Sequence, residues 1–177
     1  MPLVRNGAIA EDRFVRILDD MPVPDGLAAI VPAARLLADA GELARRNGAL
    51  GVLWPNDRNV SELTPHLDRL ALVALVFPNF RDGRAYSQAR IVRERYRFRG
   101  ELRATGQVLR DQFLCMLRAG FDAFEVSKDA DAQAFAAVVS RYSVHYQPAG
   151  DSTPSMSMAR LSRARPAAVL AEMPRQD

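Results

Sequence analysis

Nine arginines fall at positions 81, 84, 90, 93, 95, 97, 99, 103 and 110, set against only Asp82, Glu94, Glu101 and Asp111. Guanidinium groups hold carboxylates and oxyanions through paired N–H donors, so the spacing points to binding of an anion or an acidic partner. No complete catalytic constellation accompanies them, and no reaction can be read from these residues. In the loop at 78–87, Asp82-Gly83 is a turn signal, and the Ser87 hydroxyl is placed to cap a following helix. Backbone N–H groups at that helix start, flanked by Arg81 and Arg84, favour a negative group. The competing reading is local: Asp82 pairs with Arg84 or caps the turn, and the loop is an ordinary exposed one.

Projected at 100° per residue, the helix from Ser87 puts Arg90, Arg93, Glu94 and Arg97 on one solvated stripe, with Glu94 pairing to Arg90 and Arg97. Arg95 projects instead to the packing side with Gln88, where a guanidinium must find a partner, the sheet edge or water. In 101–105, Glu101, Arg103 and Thr105 share one face and Leu102 and Ala104 the other. Arg103 therefore lies on a wet edge face or in a polar pocket. Glu125 repeats the exception in 122–126, and neighbouring strands in register would pair it with Arg103. Arg84 and Arg103 are expected to hold negative charge, Asp82 and Ser87 to shape the loop, and Asp111 and Gln112 to orient the arginines.

These residues need a frame that brings their loops together. Apolar segments of strand length occur at 50–54, 70–77, 101–105 and 122–126, separated by helical patterns at 60–70, 87–98 and 108–120 and followed by one at 131–146. Strands alternating with helices predict an α/β fold: a mainly parallel sheet of about four strands with right-handed βαβ crossovers. A short β-hairpin around Asn6-Gly7 is expected at the N-terminus. Residues 21–26 form a breaker cluster, and a helix is expected from Pro32 to about Asn47-Gly48. Residues 1–147 read as one domain and 148–177 as a flexible tail. In a parallel sheet the carboxyl edge, where open α/β sheets place ligands, would gather 55–58, 79–84, 105–107 and 127–128.

Composition narrows the classes. The chain of 177 residues is 49% hydrophobic and 25% charged, ordinary globular usage that suits one core. A net charge of +3 does not diagnose a partner. Lys128 is the sole lysine, so the arginine count is discounted as compositional bias and placement alone informs. Cys115 is the lone cysteine, which excludes an internal disulfide, points to a reducing compartment, and sits on an apolar border where packing is expected. The N-terminal residues lack the 7–15-residue apolar run of a signal peptide, and no stretch approaches the roughly 18 apolar residues of a membrane span. A cytoplasmic, non-membrane protein is expected, with homo-oligomers left open. His66 and His145 have no metal-ligand spacing partners, so no metal is expected. G-x-G-x-x-G, P-loop and C-x-x-C motifs are absent, and no cofactor is bound by a recognisable motif. Trp54 reads as core or rim.

The run Phe77-Pro78-Asn79-Phe80-Arg81-Asp82-Gly83-Arg84-Ala85-Tyr86-Ser87, then Gly100-Glu101-Leu102-Arg103-Ala104-Thr105-Gly106-Gln107-Val108-Leu109-Arg110-Asp111-Gln112, then Gly120-Phe121-Asp122-Ala123-Phe124, resembles a family. It is a bacterial domain-of-unknown-function family often labelled as an oxidoreductase of sulfite reduction. The resemblance covers about residues 1–128 in layout, with its motifs confined to 77–124. Val76 departs from an acidic residue frequent in the family, and Met116-Leu117 from an arginine near its cysteine. The resemblance implies an accessory protein of assimilatory sulfite reduction, partnered with sulfite reductase or another sulfate-assimilation enzyme; its oxidoreductase label names no cofactor or catalytic residue. Two alternatives are an oxidoreductase using a partner's cofactor, and a nucleic-acid-binding protein, for which interleaved aromatics are missing.

Overall fold

A computed structural model describes residues 1–5, 8–18, 21–128 and 130–135. The expected tail at 148–177, and the helical pattern beyond residue 135, lie outside the described residues.

The four expected strands are present and adjacent: β5 (Leu50–Trp54), β6 (Leu70–Phe77), β7 (Glu101–Gly106) and β8 (Ala123–Glu125), all parallel. The sheet is twice the expected size. The hairpin β1 (Leu3–Arg5) and β2 (Ala8–Ala10) forms as expected, but β1 also pairs antiparallel with β8 and so extends the same sheet. On the other side, β4 (Ala29–Pro32) pairs with β5, and β3 (Val15–Arg16) with β4, both parallel. The order is β2-β1-β8-β7-β6-β5-β4-β3.

This sheet is curled. Arg16 of the end strand β3 donates to Thr105 Oγ1 of β7 at 2.8 Å and also to Glu125 of β8. In a flat sheet, four strand spacings would put β3 about 19 Å from β7. Only curvature brings a single side chain across.

The convex face packs under the helices. Val31, Val52, Trp54, Val73, Leu75, Phe77, Leu102, Ala104 and Phe124 are fully buried there, in one cluster with Leu63, Ala85, Ala89, Val92, Phe113 and Met116. The helices are α1 (Ala33–Ala38), α2 (Ala40–Leu43), a 3₁₀ helix at Val60–Arg69, α3 (Arg84–Arg90), a second 3₁₀ turn at Arg110–Gln112, and α4 (Phe113–Ala119). α4 stops at Gly120, whose φ of +103° a residue with a Cβ adopts at a cost. The concave face alternates with the convex one. Ile30, Leu72 and Ala74 form a small apolar cluster with Phe14 and Leu53, and Glu101, Arg103, Thr105 and Glu125 continue it as a polar surface.

α3 runs on as a π-helix over Ile91–Arg95. Its wider turn breaks the 100° projection. Arg93, expected on the solvated stripe, turns inward; Arg95, expected on the packing side, is exposed and lies over the Tyr96 ring at 5.9 Å. Arg93 donates to the carbonyls of Gly120 (2.8 Å), Phe98 (2.7 Å) and Gly100 (2.8 Å) and pairs with Asp122. The Arg90–Glu94 pair forms at 3.4 Å. Among the described residues, no helix is long and apolar enough to cross a membrane.

Candidate functional site

Two regions carry the residues singled out above, and they are separate. The first is the concave face. Arg103 is 0% exposed and surrounded by three carboxylates: its Nε reaches Glu101 at 2.8 Å, its Nη1 reaches Asp12 at 2.7 Å and Glu125 at 3.1 Å, and its Nη2 reaches Asp12 at 3.0 Å. Arg5 pairs with Glu101 and Arg16 with Glu125. Thr105 donates its hydroxyl to Glu125 at 2.6 Å. The expected Arg103–Glu125 pair across neighbouring strands is thus present, within a larger network that Asp12 closes. Burial alone would make Arg103 easier to deprotonate, but its hydrogen bond to Asp12 and the charge of Glu101 outweigh it and hold its pKa above the ordinary arginine value. For Asp12, burial would raise the pKa from 3.8. The hydrogen bond from Arg103, the Phe14 N–H and the charges of Arg103 and Arg16 together bring it lower. The three carboxylates close on a guanidinium, and among the described residues no group of His, Cys, Asp or Glu is arranged to hold a metal.

The second region is the carboxyl edge of β5, β6 and β7. The loop after β6 is held from beneath by amides. Gln107 Oε1 accepts from the Phe80 N–H at 3.0 Å, Gln112 Nε2 donates to the Phe80 carbonyl at 3.1 Å, and Asn79 Oδ1 accepts from the Arg81 N–H at 3.0 Å. Gly106, at φ +93°, turns the chain so that the Gln107 N–H reaches the Phe77 carbonyl at 2.8 Å; a Cβ at this position would run into that carbonyl oxygen. Beside it, Gln88 Nε2 ties down the loop after β5, donating to the carbonyls of Pro55 (3.2 Å) and Arg58 (2.8 Å). The surface that results presents Phe80, 42% exposed, with the Arg81 guanidinium over its ring at 5.4 Å. A shallow hollow of about 480 Å³ lined by Pro55, Asp57, Arg58, Asn59 and Glu62 belongs to the loop after β5.

Of the two readings of the Asp82 loop, the local pairing is present. Arg84 pairs with Asp82 at 2.7 Å, and its backbone N–H donates to Asp82 Oδ1 at 3.2 Å. Hydrogen bonding from Arg84 keeps the Asp82 carboxyl far below the usual carboxylate range. The Asn56 amide faces the same carboxylate and adds to that lowering, although Asn56 Nδ2 completes no full hydrogen bond. Ser87 does not cap: α3 starts at Arg84 after Gly83, so the Ser87 hydroxyl falls beyond the N-cap and is exposed. Gln112 clamps a carbonyl instead of orienting an arginine. Asp111 is exposed, and it acts with Cys115 on Tyr86, whose pKa burial first of all pushes up to about 12. Cys115, expected in packing, is exposed.

Arg84 and Arg103 do not share a rim. Arg103 lies inside the concave face, while Arg84 stands on the helix side, 59% exposed, and among the described residues none partners both. The expected joint anion site is corrected on this geometry. Asp12, Arg5 and Arg16 are the network members that the sequence did not single out, and Gln107, expected at the carboxyl edge, had no role assigned there. Asp12 sits in a loop with no periodicity to mark it; Gln107 carried a signal, its place one residue after the turn glycine of β7.

The motifs that build this edge, from β6 through β8, fall inside the match of a family model for a bacterial protein of unknown function (DUF934), which spans residues 51–156. The chain belongs to this family. A search of the curated proteins finds no match. In this DUF934 protein the loop after β6 exposes Phe80 and Arg81, and the Gln107 and Gln112 amides bond its backbone at Phe80.

Proposed function

We propose that this DUF934 protein is an accessory component of assimilatory sulfite reduction, docking on sulfite reductase or a neighbouring sulfate-assimilation enzyme through the loop at 78–84. The observation that carries this reading is the pinned loop: three amide side chains fix its backbone while Phe80 and Arg81 stay outward. Aromatic and arginine side chains dominate the energetics of protein interfaces, and a loop ordered in advance loses less entropy on docking. Arg81 forms no ion pair among the described residues, whereas the charge of Arg84 is met by Asp82. The surface therefore suits an acidic patch or a small anion. The link to sulfite reduction rests on the family resemblance at residues 77–124.

The test is purification of the tagged full chain from its native host at low salt. Sulfite reductase should accompany the wild type and be lost with Phe80→Ala/Arg81→Ala, and that variant should grow slowly on sulfate and normally on cysteine. A wild type that brings down no reductase, or a double variant that retains it fully, overturns the proposal.

A further inference from the structure

We propose that the concave face is a binding site for a carboxylate carried on an apolar body, and that the chain's own segment 12–14 occupies it as an internal ligand. This inference concerns the concave face rather than the carboxyl edge that carries the docking loop, and stands independently of that loop.

Of the three carboxylates on Arg103, Glu101 and Glu125 belong to strands well inside the sheet, whereas Asp12 comes from the connection between β2 and β3. Asp12 alone takes the fork: its Oδ2 and Oδ1 accept from Nη1 at 2.7 Å and Nη2 at 3.0 Å. That is the geometry in which a guanidinium recognises a separate carboxylate. Arg103 is fully enclosed, while the Asp12 side chain stays 32% exposed. The aspartate is thus the outer layer over the arginine.

Two residues on, Phe14 supplies an apolar body. It packs on Ile30, Leu72 and Ala74, and the Arg103 guanidinium lies 5.9 Å from its ring centre. Phe14 and Asp12 together cover a surface that is apolar at one end and cationic at the other. The covering segment is held lightly by backbone. β3 has two residues, paired on one side only, and the nearby ties are Val15 N–H to Ala28 O and Ile17 N–H to Ile30 O, each 2.9 Å. The Asp12 and Phe14 contacts are ones that a ligand can reproduce.

Charge counting supplies the need for an anion. Arg5, Arg16 and Arg103 face Asp12, Glu101 and Glu125 in balance. With Asp12 lifted away, three cations share two anions, and the enclosed one, Arg103, loses its forked partner while Arg5 and Arg16, partly exposed, still draw on Glu101 and Glu125. The chemical class that fits is a monocarboxylate with an aryl or alkyl body a few bonds from the carboxyl group.

The probe is 3-phenylpropionate, with 3-phenylpropanol as its neutral counterpart, both titrated calorimetrically against the full chain. Asp12→Ala/Phe14→Ala should bind the acid at least tenfold more tightly than the wild type does, and at least tenfold more tightly than it binds the alcohol. A folded variant that takes neither compound, or takes both alike, overturns the proposal. If the variant does not fold, hydrogen exchange of the wild type decides: faster exchange at residues 11–16 with the acid but not the alcohol supports the site, and unchanged exchange overturns it.

Discussion

The concave face and the carboxyl edge use the same side chain to opposite ends. Arg103 is enclosed and spends its donors on three carboxylates from two strands and a distant loop, so its charge is consumed in holding β7, β8 and the connection between β2 and β3 together. Arg81 sits in a loop whose fixing is done by neutral amides, so its charge stays outside. A buried ionic network fixes which strands meet; amides beneath a loop fix its shape without neutralising what it presents. An arginine's place in sequence does not separate these roles. The groups within reach of it do.

The largest expected effect follows from the enclosed arginine. Arg103→Ala leaves Asp12, Glu101 and Glu125 facing one another without their shared cation. Breaking a buried pair in this way costs about 3–5 kcal/mol, to be read as a loss of urea midpoint at unchanged m-value. A loss under about 1 kcal/mol would sink the claim that this network organises the curl. Gly106→Ala should come next, at about 1–2 kcal/mol for a left-handed residue with a Cβ, and more if the Phe77 carbonyl cannot move aside. It touches both regions, because Gly106 ends β7 and aims Gln107 at the loop.

Acid sharpens the comparison further. Folded Asp12 binds its proton more weakly than the free side chain, whose pKa is 3.8. Its contribution is therefore complete above about 3.8 and is lost as the pH falls through the lower folded value. Asp12→Asn should lower stability at neutral pH by less than Arg103→Ala and flatten the acid limb of the stability profile. An acid limb equal to that of the wild type would show that Asp12 is not coupled to Arg103.

Much of this frame is legible in the sequence. β5 to β8 announce themselves as apolar runs between helical patterns, and the alternation of Glu101, Arg103 and Thr105 against Leu102 and Ala104 marks a polar face whose partner is Glu125. β3 and β4 escape because two and four residues hold too little periodicity, and because the breakers at 21–26 read as a linker. The exchange of roles between Arg93 and Arg95 follows from a π turn that no residue type signals. Asp12 lies 91 positions from Arg103, and a contact between a loop and a strand at that separation leaves no spacing to read. The rim pairing of Arg84 with Arg103 fails because strand direction places loops but says nothing of which face a strand residue occupies; alternation alone had already put Arg103 on the face away from Leu102 and the helices.

The smallest effect on stability is the most local one. Gln112→Ala removes the donor to the Phe80 carbonyl and leaves that group near enough to the surface for water to replace it, so the cost should be about 0.5–1 kcal/mol, the lower part of the range for a single hydrogen bond. Its consequence belongs to the loop. Amide exchange at residues 79–83 should quicken severalfold while β7 and β8 keep their protection, because the concave network has no member in common with the amide clamp. Capture of the partner should weaken even though Phe80 and Arg81 are intact, since the loop must then be ordered on docking. If exchange quickens equally in β7 and β8, the loop and the network form one cooperative unit, and the division of labour between the two sets of arginines does not hold.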